Sequence, residues 1–212
     1  MDARQQRTRE SLERAIITLA TERPLGEITV TELAKAADIT RPTFYAHAES
    51  PGDLLATVLG AELEKLRTEF DRLSANTPTG EVLSLVSSER ALVAHVYRFA
   101  TLYRNNLRHR LSGEVRDVLI DHIEWSLLDH LARHPQIAPI DPLADPNDAE
   151  YRYREAALYA AIAASGTVAA LETWLRGPDP LDQEWADSFF LRYRDDPDCD
   201  LRWLLAGLWQ VN

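Results

Sequence analysis

A chain of 212 residues with 45% hydrophobic and 27% charged side chains can bury a substantial core, which excludes a disordered polypeptide. Its single cysteine, Cys199, excludes a disulfide framework and any multi-cysteine zinc or iron–sulfur site. The net charge of −11 argues against a protein coated with nucleic acid but leaves room for a local DNA-reading surface, since residues 1–60 carry seven basic against nine acidic side chains and residues 61–212 carry 16 against 25.

The first 13 residues are polar and lack the apolar stretch of a signal peptide. Arg4, Arg7 and Arg9 there read equally well as a solvated end or as an arm that touches DNA. Leu12, Ala15, Ile16, Leu19 and Ala20 follow the spacing of an amphipathic helix, which Pro24-Leu25-Gly26 ends. Thr29-Val30-Thr31-Glu32 is a capping box, and the short helix it opens carries Val30, Leu33, Ala34 and Ala37 on one face. Asp38 tolerates the left-handed conformation of a tight turn, Ile39 points back to the core, and Thr40 caps a third helix. Ser50-Pro51-Gly52-Asp53 starts a fourth, with serine as cap and proline at the first helical position.

That fourth helix is predicted to run through Leu55, Leu59, Leu63, Leu66 and Leu73 to a break at residues 76–80. Helices follow at about residues 88–105 and 113–134, then a proline-rich loop at 135–147, then a long helix at about 149–176 closed by Gly177-Pro178. Shorter helices are expected near 181–193 and 201–209. With no alternating strand pattern, the predicted architecture is all-α, with a DNA-binding domain at residues 1–50 and a helical bundle at 51–212.

Two short helices joined by a three-to-four-residue turn form a helix-turn-helix, whose second helix enters the major groove of DNA. The pattern here makes residues 30–36 the supporting helix, 37–39 the turn and 40–47 the recognition helix. Leu33, Ala37, Ile39 and Phe44 would form the shared core. Arg41, Pro42, Thr43, Tyr45 and His47 would face outward, and the helix starts at Thr29 and Thr40 would offer free amides to phosphate.

The run TVTELAKAADITRPTFYAH (residues 29–47), preceded by the helix at residues 12–20, resembles the DNA-binding domain of the TetR/AcrR family of transcriptional regulators. The resemblance covers about residues 8–59 and is most specific over residues 40–47. It implies that Thr29 and Thr40 touch the DNA backbone, that Arg41, Pro42 and Thr43 read bases, and that Tyr45 and His47 clamp phosphates, with Arg7 and Arg9 assisting from the N-terminal arm. It further implies a homodimer on double-stranded palindromic operator DNA, and a C-terminal domain that dimerises and holds a small-molecule inducer. Three positions depart from the family pattern: Asp38 stands where glycine is usual, Ala48 where an aromatic is usual, and Pro51 where a lysine commonly meets phosphate.

Elsewhere the chemistry is bland. No nucleophile with its base and no phosphate-binding loop occurs, so no enzyme activity and no cofactor are expected. His122, His130 and His134 lie at helical spacing but lack the further convergent ligands of a metal site, so no metal is expected either. Tyr97, Tyr103, Trp125 and Tyr159 are candidates to line the inducer pocket, set against an ordinary core role. Residues 156–171 carry no charge, are too few and too rich in small side chains for a membrane span, and read as a helix packed on two sides. Ala160, Ala163 and Gly166 would admit a second subunit there, together with the helix after Pro180. The expected protein is a cytoplasmic repressor without a membrane partner. The alternatives are a regulator that activates or takes no inducer, and a helical interaction module without DNA binding, the latter favoured by Pro51 and the net charge.

Overall fold

The computed structural model describes residues 3–74, 81–107, 110–133, 149–178, 180–184 and 186, with backbone alone at 70–74, 81–87 and 149. Among them every regular element is helical: α1 Ala3–Glu22, a 3-10 turn Leu25–Glu27, α2 Val30–Ala36, α3 Arg41–Tyr45, α4 Pro51–Ser74, α5 Glu81–Arg98, α6 Ala100–Asn105, α7 Gly113–Arg133 and α8 Ala149–Leu175. The all-α architecture follows the apolar periodicity of the sequence. The loop predicted at 135–147, the helix at 201–209 and most of the helix at 181–193 lie outside the described residues.

Two boundaries differ from expectation. α1 begins at Ala3, so the arginines of the N-terminal arm are helical. The side chains explain this: Gln6 bonds Glu10 and Arg9 pairs with Glu13, each across one helical turn. The single helix expected at 88–105 starts earlier and is interrupted at Phe99, giving α5 and α6.

Most of the buried apolar residues form one continuous cluster from Leu12 of α1 to Ala186 beyond α8. α1 contributes Leu12, Ala15, Ile16 and Ala20, and α4 contributes Leu54, Leu55, Val58, Leu59 and Leu63. Each large side chain buried this way stabilises the fold by about 2 kcal/mol. α4 packs on α1 at one end and on α5 and α7 along its length, so it joins the helix-turn-helix to the rest. At its start Gly52 lies close to α7: a Cβ there would stand 3.0 Å from the carboxylate of the exposed Glu114, a side chain free to move aside.

α7 and α8 make the most extensive helix pair. α8 buries Ala160, Ala164, Val168, Leu171 and Leu175, a 3.6-period stripe. Residues Glu150–Leu175 are long and apolar enough to cross a membrane by composition alone. In this fold the helix is instead tied inward by Glu172, which is buried, accepts the Leu111 amide at 3.0 Å and lies 3.8 Å from Arg116.

Candidate nucleic-acid interface

The helix-turn-helix is assembled almost entirely from bonds within four or five residues. Thr29 Oγ1 accepts the Glu32 amide at 3.2 Å, and the Glu32 carboxylate accepts the Thr29 amide at 3.0 Å, closing the capping box. The same carboxylate takes a 2.7 Å ion pair from Arg23. The Thr29 hydroxyl and amide, then Arg23, hold the Glu32 carboxyl down at about 2.

α2 ends in a Schellman arrangement. The Asp38 amide donates to Lys35 O at 3.2 Å and the Ile39 amide to Ala34 O at 2.9 Å, with Asp38 at φ 54° between them. This is the left-handed position anticipated from the sequence. α3 then starts at Thr40, whose Oγ1 accepts the Thr43 amide at 3.3 Å and lies 2.8 Å from the Thr43 hydroxyl. Pro42 sits in the first turn, where its missing amide proton leaves no helix bond unmade. Phe44 and Leu33, both fully buried, hold α3 against α2. Ser50 Oγ accepts the Asp53 amide at 3.0 Å and starts α4 in turn.

The outer surface of this unit carries the predicted DNA-binding residues. Thr29, Thr40, Arg41, Pro42 and His47 are exposed, Tyr45 is 53% exposed, and Thr43 is half-buried with its hydroxyl turned to Thr40. α3 itself stops at Tyr45, so His47 lies in the turn after it, its amide donating to Phe44 O at 2.8 Å. Tyr45 meets the buried Phe44 edge-on, with ring centroids 5.6 Å apart. Arg7 is exposed on α1, its Nε donating to Ala3 O. Beside the buried Ala48, His47 joins Arg9, Leu12, Glu13, Leu54, Thr57 and Val58 around a cleft of about 170 Å³ between α1 and α4.

The residues predicted for an inducer pocket have partners within the chain. Tyr103 is fully buried, with its hydroxyl 3.0 Å from His95 Nε2. Tyr97 stacks near Trp174 at 6.4 Å, the Arg67 guanidinium lies 3.8 Å above the Trp125 ring, and Tyr159 is half-buried on α8. Around Tyr103 lies a polar cluster from four helices. Burial, opposed by Glu62 of α4 and assisted by His122 of α7 and Arg98 of α5, pushes the His95 imidazole down to about 4. Burial and then Arg67 push His122 down to about 4, against Glu64. Burial pushes the Tyr103 phenol up, so all three groups are neutral at pH 7.

Of the residues predicted to meet a second subunit, Ala160 is buried inside its own chain, Ala163 is half-buried, and Gly166 is exposed with open space around it. The outward face of α8 runs instead through Leu158, Ile162, Ser165, Gly166, Ala169 and Thr173, with Leu158 62% and Ile162 47% exposed. The sequence reading also missed Asn105 and Asn106, which bond the end of α1 and the turn after it from more than 80 residues away. No short-range pattern could have signalled them.

No protein-family model matches the chain, and no curated protein matches its sequence. Solved structures do match in shape. A protein described as a TetR-family transcriptional regulator, from Syntrophomonas wolfei str. Goettingen, superposes with a TM-score of 0.64 at 13% identity, covering 98% of this chain and 99% of its own. NalD of Pseudomonas aeruginosa, described as the secondary repressor of the MexAB-OprM multidrug efflux pump, gives a TM-score of 0.54 at 17% identity, over 88% of this chain and 94% of that one. The dihydroxyacetone kinase operon activator DhaS gives a TM-score of 0.52 at 16% identity, over 87% and 92%. At such identities the likeness is one of fold, and it extends over 87% or more of this chain in each case: this all-α protein folds as TetR-family regulators do.

Proposed function

We propose that the protein is a member of the TetR family, a DNA-binding transcriptional regulator rather than an enzyme. In this reading residues 1–50 read the operator and residues 51–212 dimerise and sense a small molecule. The observation that carries it is α3: a short helix braced by the fully buried Phe44, whose outer side presents Arg41, Pro42 and Tyr45. Arg41 has the geometry to donate to guanine O6 and N7, and Thr43 can meet a base edge. Tyr45, His47 and the helix starts at Thr29 and Thr40 would hold phosphates, with Arg7 assisting from α1.

A second copy of the chain supplies the remaining parts. The outward apolar face of α8 is the surface we assign to the homodimer, because exposed Leu158 and Ile162 beside small residues suit close helix packing. Two recognition helices then meet two half-sites of palindromic DNA about one helical turn apart. The inducer would sit among α4–α8, near Tyr97, Tyr103, Trp125 and Tyr159, and the site of action is the cytoplasm. Structures of similar fold include both a described repressor and a described activator, so the fold does not set the sign of regulation. We favour repression by occlusion, relieved when a ligand binds one arrangement of the dimer better than the other.

Incubating the purified protein with random duplexes and sequencing the retained pool tests this reading. Convergence on a two-fold symmetric motif is expected. A pool without enrichment would leave the helical interaction module as the better description.

A further inference from the structure

We propose that the cleft between α1 and α4 is a binding site for a small aromatic carboxylate, which lays its ring on the apolar floor and is held at the rim by Arg9, His47 and Thr57. That an occupied cleft opposes DNA rests on the DNA-binding reading above; the site itself does not.

Helical spacing builds both walls. Arg9, Leu12 and Glu13 lie three and four positions apart and so share one face of α1, and Leu54, Thr57 and Val58 do the same on α4. The two helices pack on each other, and His47, in the turn after α3, completes the lining. Leu12 is 1% exposed and Leu54 and Val58 are 5% exposed, so the floor is apolar and dry on its inner side. The cleft holds about 170 Å³. An apolar cavity of about 150 Å³ takes benzene, so the space suits a single six-membered ring. The sequence shows the two faces separately; only the packing of α1 on α4 sets them opposite each other.

The rim sets the charge of the ligand. Arg9 donates to Glu13 from Nε alone, at 2.9 Å, which gives the one carboxylate of the lining a cation of its own. Both terminal nitrogens of the Arg9 guanidinium are left without a partner among the described residues. The His47 ring and the Thr57 hydroxyl are exposed and likewise make no bond to those residues. Three groups able to donate therefore face one acceptor that is already paired. A ligand carboxylate fits the open edge of a guanidinium through two parallel N–H···O bonds, whereas an amine would have to displace Arg9 from Glu13. An inorganic anion would leave the apolar floor uncovered, and an uncharged ring would leave Arg9 unmatched. His47 and Arg9 are also the side chains offered to DNA phosphates, so a bound ligand removes both contacts from DNA. By linkage DNA weakens the ligand by the same factor.

Benzoate is the probe, titrated into isotope-labelled full-length protein at constant ionic strength and read by amide resonances. Benzamide serves as the uncharged ring, acetate as the carboxylate without a ring, and inorganic phosphate as the anion that DNA itself presents. Benzoate should shift residues 9–13, 47 and 54–58 saturably, with a midpoint of about 1 mM, ordinary for a ligand of this size. Each of the other three should need about tenfold more. Arg9→Gln should weaken benzoate about tenfold and benzamide less than about twofold, and Arg9→Lys should recover part of the loss. Absence of a saturable shift at these residues by about 20 mM would overturn the proposal. So would equal midpoints for benzoate and benzamide, or shifts confined to α5–α8. At ten midpoints of benzoate the affinity for a duplex should fall by about tenfold relative to chloride of equal ionic strength. Unchanged duplex affinity at a saturated cleft would overturn the link to DNA. Absence of duplex binding altogether would sink the DNA-binding reading, while the titration decides the site on its own.

Discussion

The helix-turn-helix and the helices α5–α8 are held together over different distances along the chain. In the first, Thr29 meets Glu32, Ala34 meets Ile39, Thr40 meets Thr43 and Ser50 meets Asp53, all within five residues. In the second, Glu172 meets Leu111 and Arg104 meets Leu175, across 61 and 71 positions, and Asn105 reaches back to Thr21 of α1 across 84. The first region is specified by local rules of capping and turning, and the second by packing that only the finished fold reveals. The helix-turn-helix is therefore specified by short-range construction, while the packing of the remaining helices can differ greatly among chains of one fold.

Removing the centre of the local unit should have the largest effect. Phe44→Ala empties a fully buried site and should destabilise by about 3–5 kcal/mol, enough to unfold α3, measured by urea denaturation and by exchange of the α2–α3 amides. If the loss spreads equally to α7 and α8, the two regions are one cooperative unit.

Acid should separate the regions next. His95 and His122 sit near 4 when folded against 6.5 when free, so the unfolded chain binds more protons between those values. Stability of the α4–α7 region is then complete above pH 6.5 and falls as pH drops toward 4, by up to about 3 kcal/mol per imidazole. Glu32 has the opposite sign of ionisation, with its contribution complete above 4.5 and fading as pH falls toward 2. Every tryptophan lies beyond residue 124. Tryptophan fluorescence should thus change at a higher pH than amide exchange in α2, and His95→Gln should narrow the gap. A single transition shared by both probes would contradict the assignment.

Legibility in the sequence follows the same division. The caps at Thr29 and Thr40, the turn at Asp38 and the buried Phe44 lie where spacing and residue type placed them, because each depends on neighbours visible in the sequence. The break at Phe99, the Asn105–Thr21 clamp and the burial of Ala160 were not legible, since each is decided by which helix lies across from it. Periodicity led to α8 being expected to pack on two sides; within its own chain it buries one stripe, and periodicity did not say which alanines turn inward. That choice depends on α7.

The outward face of α8 gives a smaller and cleaner test. Gly166 has open space at its Cβ position, so Gly166→Arg should leave the monomer fold intact and act on association alone. Sedimentation at micromolar concentration should show a wild-type dimer and a monomeric variant. Smallest of all, Asp38→Gly relieves a left-handed residue at φ 54° and should change stability by no more than about 0.5–1 kcal/mol, in the stabilising direction. A clear loss in thermal unfolding would mean that the Asp38 side chain makes a contribution of its own.

The proposed reading of bases by the exposed side of α3 has a direct test. Arg41→Ala should be titrated, by fluorescence anisotropy, against the selected operator and a scrambled duplex of equal length at two salt concentrations. A loss of about 1–3 kcal/mol is expected on the operator and a much smaller loss on the scrambled duplex, with wild-type binding falling steeply as salt rises. Equal losses on both duplexes would make Arg41 a phosphate contact and contradict the assignment of the base-reading face.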